Sequence, residues 1–251
     1  MNQTRLMMGM PISVEVVDAE VSTSAFDRVF DYFRYVDETF STYKDSSEIM
    51  RINRGELTIE NASADVQLIF KLAEQTRIET DGYFDIVHDD HIDPSGIVKG
   101  WAVFEAAELL RGMGYHHYFV DAGGDIQTRG KNSQGKDWRV GVRNPFNPQQ
   151  IVKSLIVPDC GVATSGTYLR GDHIYNPKGD HQLQTEVVSL TVIGPNVYEA
   201  DRFATAAFAM GKQGIHFIEE LDDFEGYMID RNGKATLTSG LSQYLPSPVN
   251  H

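Results

Sequence analysis

A single cysteine in 251 residues, Cys160, excludes an internal disulfide framework and any multi-cysteine metal site, and leaves that thiol as a core residue. Basic residues are also scarce, 22 Lys and Arg against 36 Asp and Glu, for a formal net charge of -14. A nucleic-acid backbone requires clustered cations over a large footprint, so a nucleic-acid partner is excluded, and any phosphate-bearing ligand needs a cation close by. Apolar runs are short. Met1-Asn2-Gln3-Thr4-Arg5-Leu6-Met7-Met8-Gly9 holds no stretch long enough for an export signal and no segment approaches a membrane span, so the expected location is the cytoplasm. Internal repeats and flexible linkers are absent too, so residues 1–251 read as one domain, at most two closely joined lobes. What is present, 41% apolar and 10% aromatic residues, is enough to bury a real core.

Helical and strand periods separate along the chain. Pro11 to Val17 alternates Ile12, Val14 and Val16 against Ser13 and Glu15, which predicts a half-buried strand. Ser22 to Phe40 carries Phe26, Val29, Phe30, Phe33, Val36 and Phe40 at helical spacing, and a short helix containing Ile49 and Ile52 follows. Ser63 to Thr80 is a further amphipathic helix with Val66, Ile69, Phe70, Ala73 and Ile78 on its stripe, ending at Asp81-Gly82. Pro94 and Gly96 mark a turn, and Ile97 to Met113 is predicted helical with Lys99 in its first turn, where free N–H groups and a cation together make an anion site. Strands dominate afterwards: Tyr115 to Val120, Trp138 to Val142 paired with Ile151 to Val157, Val187 to Ile193, and Gly226 to Asp230 beyond a helix around Ile215, Phe217 and Ile218. Helices early and mainly antiparallel strands later indicate an α+β fold rather than a doubly wound sheet.

The segment from Asn196 to Gly211 has the clearest boundaries. Asn196 is a good N-cap, Glu199 stands at capping-box spacing, and Gly211 follows the last apolar residue as a stop. Asp201 therefore lies beyond the first turn, not needed by the helix start, and Thr205 stacks above it on a face of small alanines. Two readings stand. The pair can supply oxygen ligands to a hard cation such as Mg²⁺, or the Thr can bond back to the carbonyl four residues earlier while the Asp is merely solvated. His88 and His91, flanked by acids, have no third soft ligand near in sequence and read as a solvated loop rather than a zinc site.

Several strings taken together resemble one family. Met8-Gly9, Phe40-Ser41-Thr42-Tyr43, Asp81-Gly82-Tyr83-Phe84-Asp85, Asp93-Pro94-Ser95-Gly96-Ile97-Val98-Lys99-Gly100, Ala122-Gly123-Gly124-Asp125, Thr164-Ser165-Gly166, His173-Ile174-Tyr175-Asn176-Pro177 and Ala200-Asp201 with Ala204-Thr205 occur in the order seen in the ApbE-type FAD:protein FMN transferases. The resemblance implies that family's T-fold-like flavin transferase architecture. It also implies Mg²⁺ held by Asp201, Thr205 and the Gly96 carbonyl, FAD contacts at Met8, Tyr43, Tyr83, Phe84, Asp85, Asp93 and Lys99, and His173 as the base. The implied reaction moves FMN from FAD to a Thr or Ser hydroxyl of an acceptor flavoprotein and releases AMP. Read from the residues alone, His173 is equally a structural hydrogen-bonding group, Tyr43, Tyr83 and Phe84 equally core aromatics, Met8 a packing residue, and Asp125 a cap for the next segment. Hydrolysis of FAD to FMN and AMP, and FAD binding without chemistry, are the alternative functions. One departure from the family is the short segment between Asp85 and Asp93, which implies a flavin pocket more open on one side.

Overall fold

The chain starts with a hairpin of β1 (Asn2–Met7) and β2 (Met10–Val16), joined through Met8 and Gly9 at positive φ. In a computed structural model, residues 1–167, 177–178 and 186–246 are described. β1 had no signal of its own, because it is an edge strand whose residues are all exposed or half-exposed and so show no apolar face. Four helices follow: α1 (Thr23–Phe40), α2 (Glu48–Asn53), α3 (Ala64–Glu79) and α4 (Ser95–Gly112). The first three start where a serine hydroxyl, from Ser22, Ser47 or Ser63, accepts the N–H three residues on. Two of the sequence expectations shift. Ile78 is 67% exposed, and the polar Thr76 takes the buried place on α3, bonding back to the Leu72 carbonyl at 2.8 Å. α4 begins two residues earlier than expected because Asp93 Oδ1 accepts Ser95 N–H at 2.9 Å, which places Lys99 one turn inside the helix instead of in its first turn.

Between α3 and α4 lies a short ribbon, β3 (Val87–His88) with β4 (His91–Ile92), turned through Asp89 and Asp90 at positive φ. It pairs His88 with His91, but among the described residues no group of three His, Cys, Asp or Glu side chains is placed to hold a metal.

The strands β5 (Tyr118–Ala122), β6 (Asp125–Arg129), β9 (Gly161–Gly166), β10 (Val187–Gly194), β11 (Glu225–Asp230) and β12 (Ala235–Leu237) complete one antiparallel sheet in the order β1-β2-β5-β6-β9-β10-β11-β12. Helices α5 (Val197–Ala209) and α6 (Gly214–Glu219) connect β10 to β11. The sheet thus consists of two halves of the same form, hairpin then helices then hairpin, paired at Ile126 opposite Val162 and Gln127 opposite Gly161, with Thr128 N–H donating to the Cys160 carbonyl beside them. No sequence repeat announces this, since equivalent halves need the same backbone pairing and not the same side chains.

Alternation along the strands sorts the core. Val120, Ala122, Ala163 and Val192 face the helices, while Ile126, Val162, Ile193 and Ile229 face the opposite side, covered by a hairpin of β7 (Arg139–Asn144) and β8 (Asn147–Ile156). Cys160 lies in that second layer, where burial pushes its thiol up to about 12, so it is a packing residue as expected. Among the described residues no helix is long and apolar enough to cross a membrane.

Candidate active site

The site forms where α4 crosses α5 above the β6–β9 joint. α5 is fixed at its start by two acceptors: Asn196 Oδ1 takes the Glu199 N–H at 2.9 Å, and Gln127 Oε1 takes the Val197 N–H at 2.8 Å. Glu199 does not reach back to the cap; it turns outward to Arg202, Nε to Oε2 at 2.7 Å. Only half of the expected capping box is therefore built, because Arg202 offers a charge-assisted partner one turn away. Gly211, at φ 62°, follows the Met210 cap as expected.

Glycines set how closely the elements approach. A Cβ on Gly161 would sit 2.0 Å from the Asn196 carbonyl carbon and the Val197 nitrogen, so the start of α5 lies directly on β9. A Cβ on Gly100 would lie 2.5 Å from Asp201 Cβ, so α4 and α5 touch at that point. The contact lets Asp201 Oδ2 accept the Gly100 N–H at 2.8 Å. One turn along each helix, the Thr205 hydroxyl lies 3.4 Å from the Gly96 carbonyl oxygen, a long O–H···O contact that brings the two oxygens to the same side as Asp201.

Register decides the charge of the site. Asp125 opposes Ala122 and so points to the helix face, where it is 1% exposed. Its Oδ2 lies 2.6 Å from Lys99 Nζ, and the same ammonium is 3.8 Å from Asp201 Oδ1. Asp125, expected only to cap the next segment, is thus the main counter-ion of Lys99. Two buried carboxylates share one ammonium, a local excess of negative charge that a bound cation would relieve. The donor set of one carboxylate, one hydroxyl and one carbonyl suits a hard divalent ion such as Mg²⁺ rather than a soft one.

These groups floor a cleft of about 320 Å³, within the usual size range of small-molecule sites. Tyr83, Phe84, Asp85, Asp93, Gly96, Lys99, Asp201 and Thr205 all line it, so the structure brings together most of the residues singled out in the sequence. Met8 does not line it; the neighbouring Gly9 and Met10 do, with Met8 packed partly against the core. Tyr43 is 95% exposed and lies outside the lining, because its N–H and that of Lys44 are turned onto the Ser41 hydroxyl and its ring is left in solvent. His173 lies outside the described residues. The lining also includes Thr164, Ser165 and Gly166 of β9, a string that carries the resemblance but was given no role, and Arg143 from β7, which sequence reasoning missed. Arg143 carries no local signal, since it reaches the cleft from a strand far away in the chain.

Below the glycine turn that follows β5, burial raises the Asp121 carboxyl above the usual range; nearby Asp125 adds to this, while the Gly124 N–H at 2.7 Å and the charges of Arg143 and Lys99 oppose it. A carboxyl raised in the folded state lowers stability as pH rises through the unfolded-state value, since the unfolded chain then releases its proton more readily. Asp121→Asn keeps the acceptor for Gly124. It is therefore expected to raise the urea midpoint relative to wild type at pH 7, and the gain should vanish at about pH 3, where both states of the wild-type carboxyl are protonated. A gain of equal size at both pH values would refute the assignment.

The fold is that of the ApbE flavin transferase structures. The flavin transferase ApbE from Vibrio cholerae superposes with a TM-score of 0.85 at 22% identity, covering 98% of this chain and 99% of that one. The ApbE protein from Thermotoga maritima superposes at 0.86 and 19% identity over 98% and 99%. The chain belongs to the ApbE family, whose profile matches residues 8–91 and 87–228. In sequence, it is 32% identical over 165 residues to a Vibrio cholerae protein named FAD:protein FMN transferase, covering 62% of this chain and 49% of that one. The chain spans about half the length of the curated relatives it matches.

Proposed function

We propose that the cleft binds FAD and that the protein transfers its FMN part to a Thr or Ser hydroxyl of an acceptor flavoprotein, releasing AMP. The observation that carries this reading is the convergence of Gly96, Asp201 and Thr205 on one oxygen-lined spot beside the Lys99 ammonium, in a cleft walled by Tyr83 and Phe84. The names of the relatives support the same activity.

Each residue then has a task. The Asp201 carboxylate, the Thr205 hydroxyl and the Gly96 carbonyl would hold Mg²⁺, which when bound neutralises the diphosphate and stabilises charge developing at phosphorus. Lys99 brings a second positive charge to the same place, fixed in direction by Asp125. Tyr83, with the nearly buried Phe84 beside it in the lining, offers aromatic surface to the flat isoalloxazine ring, and Asp85 and Asp93 offer carboxylate acceptors to its polar edge and hydroxyl-bearing chain. His173 is proposed to take the proton of the acceptor hydroxyl. Pro177, four residues on in the same string, lines the cleft and supports that role. The acceptor oxygen bonds to the FMN-side phosphorus, the bridging P–O bond to AMP breaks, and AMP departs as a phosphomonoester.

The test is mass spectrometry of candidate acceptor proteins after incubation with this protein, FAD and Mg²⁺. The expected result is a mass gain of one FMN on the acceptor and an equal amount of AMP. AMP released at the same rate without acceptor would mean that water is the acceptor. FAD that stays intact for hours would reduce the protein to a flavin binder.

A further inference from the structure

Positive charge is unevenly distributed in this acidic chain. Between Arg129 and Val157 stand Arg129, Lys131, Lys136, Arg139, Arg143 and Lys153 with a single acid, Asp137, while the whole chain carries 22 basic and 36 acidic residues. This stretch is β7, β8 and the loop leading into them. Part of its charge is spent internally: Lys131 pairs with Asp137 at 2.6 Å, and Lys153 lies over the Tyr227 ring at 5.7 Å. Lys136, Arg139 and Arg143 are exposed, and among the described residues none of the three has an ion-pair partner.

The hairpin's geometry explains the exposure. Val140, Val142 and Leu155 point into the sheet, so by alternation Arg139 stands on the outer face of β7, while Arg143, where the pairing with β8 becomes irregular, is exposed as well. The distal end of the hairpin is also apolar: Phe146 and Ile151 are each 56% exposed and Val152 is 38% exposed, an unusual set of side chains to leave in water together. Arg143 belongs to both regions, lying exposed on the hairpin and lining the cleft. A cationic strip with an apolar end, continuous with the cleft, is a docking surface for a protein segment rather than for a small molecule.

We propose that this hairpin docks an acidic segment of the acceptor protein and guides its hydroxyl residue toward the cleft. The inference rests on the transfer reaction proposed above and adds to it where, and by what chemistry, the acceptor is recognised. Charge selects the occupant: the net charge of the chain repels an acidic partner, while the strip around Lys136, Arg139 and Arg143 attracts it, and the field both steers and orients. The exposed Phe146 adds an apolar anchor that a purely electrostatic encounter lacks.

The experiment uses the full chain loaded with FAD and Mg²⁺ and two fluorescein-labelled peptides with the same central threonine, one flanked by glutamates and the other by lysines. The net charge of -14 taken alone favours the lysine peptide. Fluorescence anisotropy is expected to show the opposite order, with the glutamate peptide bound at least about tenfold more tightly at low salt and the difference shrinking as salt is added. Lys136→Glu/Arg139→Glu should erase the preference and leave FAD binding, read by flavin fluorescence, unchanged; Phe146→Ser should weaken both peptides without changing their order. A lysine peptide bound as tightly as the glutamate one, or a preference that survives the double variant, overturns the proposal. Binding to phosphatidylserine-containing vesicles that depends on Lys136 and Arg139, with no peptide preference, overturns it in favour of a lipid surface. Failure of the wild-type protein to bind FAD strikes instead at the reading of the cleft, and the peptide comparison remains informative on its own.

Discussion

Asp201→Asn is expected to slow the proposed FMN transfer by about 10²–10³-fold while leaving a folded protein. The two halves of this expectation come from the two oxygens of one side chain. Oδ2 accepts the Gly100 N–H at 2.8 Å, and the asparagine oxygen can keep that bond, so the α4–α5 contact survives. The negative charge that faces the cleft does not survive. It is the anionic member of the proposed Mg²⁺ ligand set, and a neutral amide holds a divalent cation far more weakly. Lys99 is not left unpaired by the change, because its shorter contact, 2.6 Å, is to Asp125. The large penalty for isolating a buried charge, about 3–5 kcal/mol, is therefore not incurred, and stability should move by no more than about 1 kcal/mol. Initial rates of AMP and flavinylated product at increasing Mg²⁺ test the claim. The variant should need well over about tenfold more metal to approach its own plateau. A wild-type rate at the wild-type metal requirement would remove Asp201 from the ligand set.

Gly100→Ala has the largest expected effect on stability. In an unobstructed helix this change stabilises by up to about 1 kcal/mol, because alanine loses less backbone freedom on folding. At Gly100 the added carbon would stand 2.5 Å from Asp201 Cβ and 2.9 Å from the Val197 carbonyl oxygen. A backbone oxygen cannot rotate away, so α5 must retreat along its first turns. Overpacking of this kind costs about 1–3 kcal/mol or more, and the net loss should be about 2 kcal/mol, seen as a lower urea midpoint. Transfer should fall with it, since the same retreat moves Asp201 and Thr205 away from Gly96. Gly112→Ala provides the contrast: it lies in the same helix, a Cβ there meets nothing within 4 Å, and it should be neutral or slightly stabilising. Destabilisation of equal size at both positions would show that steric contact with α5 is not the cause.

Much of the chain was legible before its shape was known. Ser22, Ser47, Ser63 and Asn196 each begin a helix because a short polar side chain meets the bare N–H groups of a first turn, a contact three residues long. The stripe Phe26, Phe30 and Phe33 declared its buried face by period alone. Of the site, the strings around Tyr83, Gly96 and Asp201 were recognisable because each is local. Tyr43 shows the limit: its string matches, yet the ring is exposed and outside the lining.

By itself, then, the sequence determined the main helices and several strands, most of the faces they bury, and which side chains are chemically able to hold a cation, since all of these depend on neighbours a few residues away; the edge strand β1 and the Thr76 side of α3 escaped it. The tertiary structure alone decided that Asp125 opposes Lys99, that Arg143 reaches the cleft from the second layer, and that α4 and α5 touch at Gly100. Those facts depend on strand register and on how closely two backbones can approach, and both are set by residues distant in the chain, 101 positions apart for Gly100 and Asp201, that carry no mark of each other.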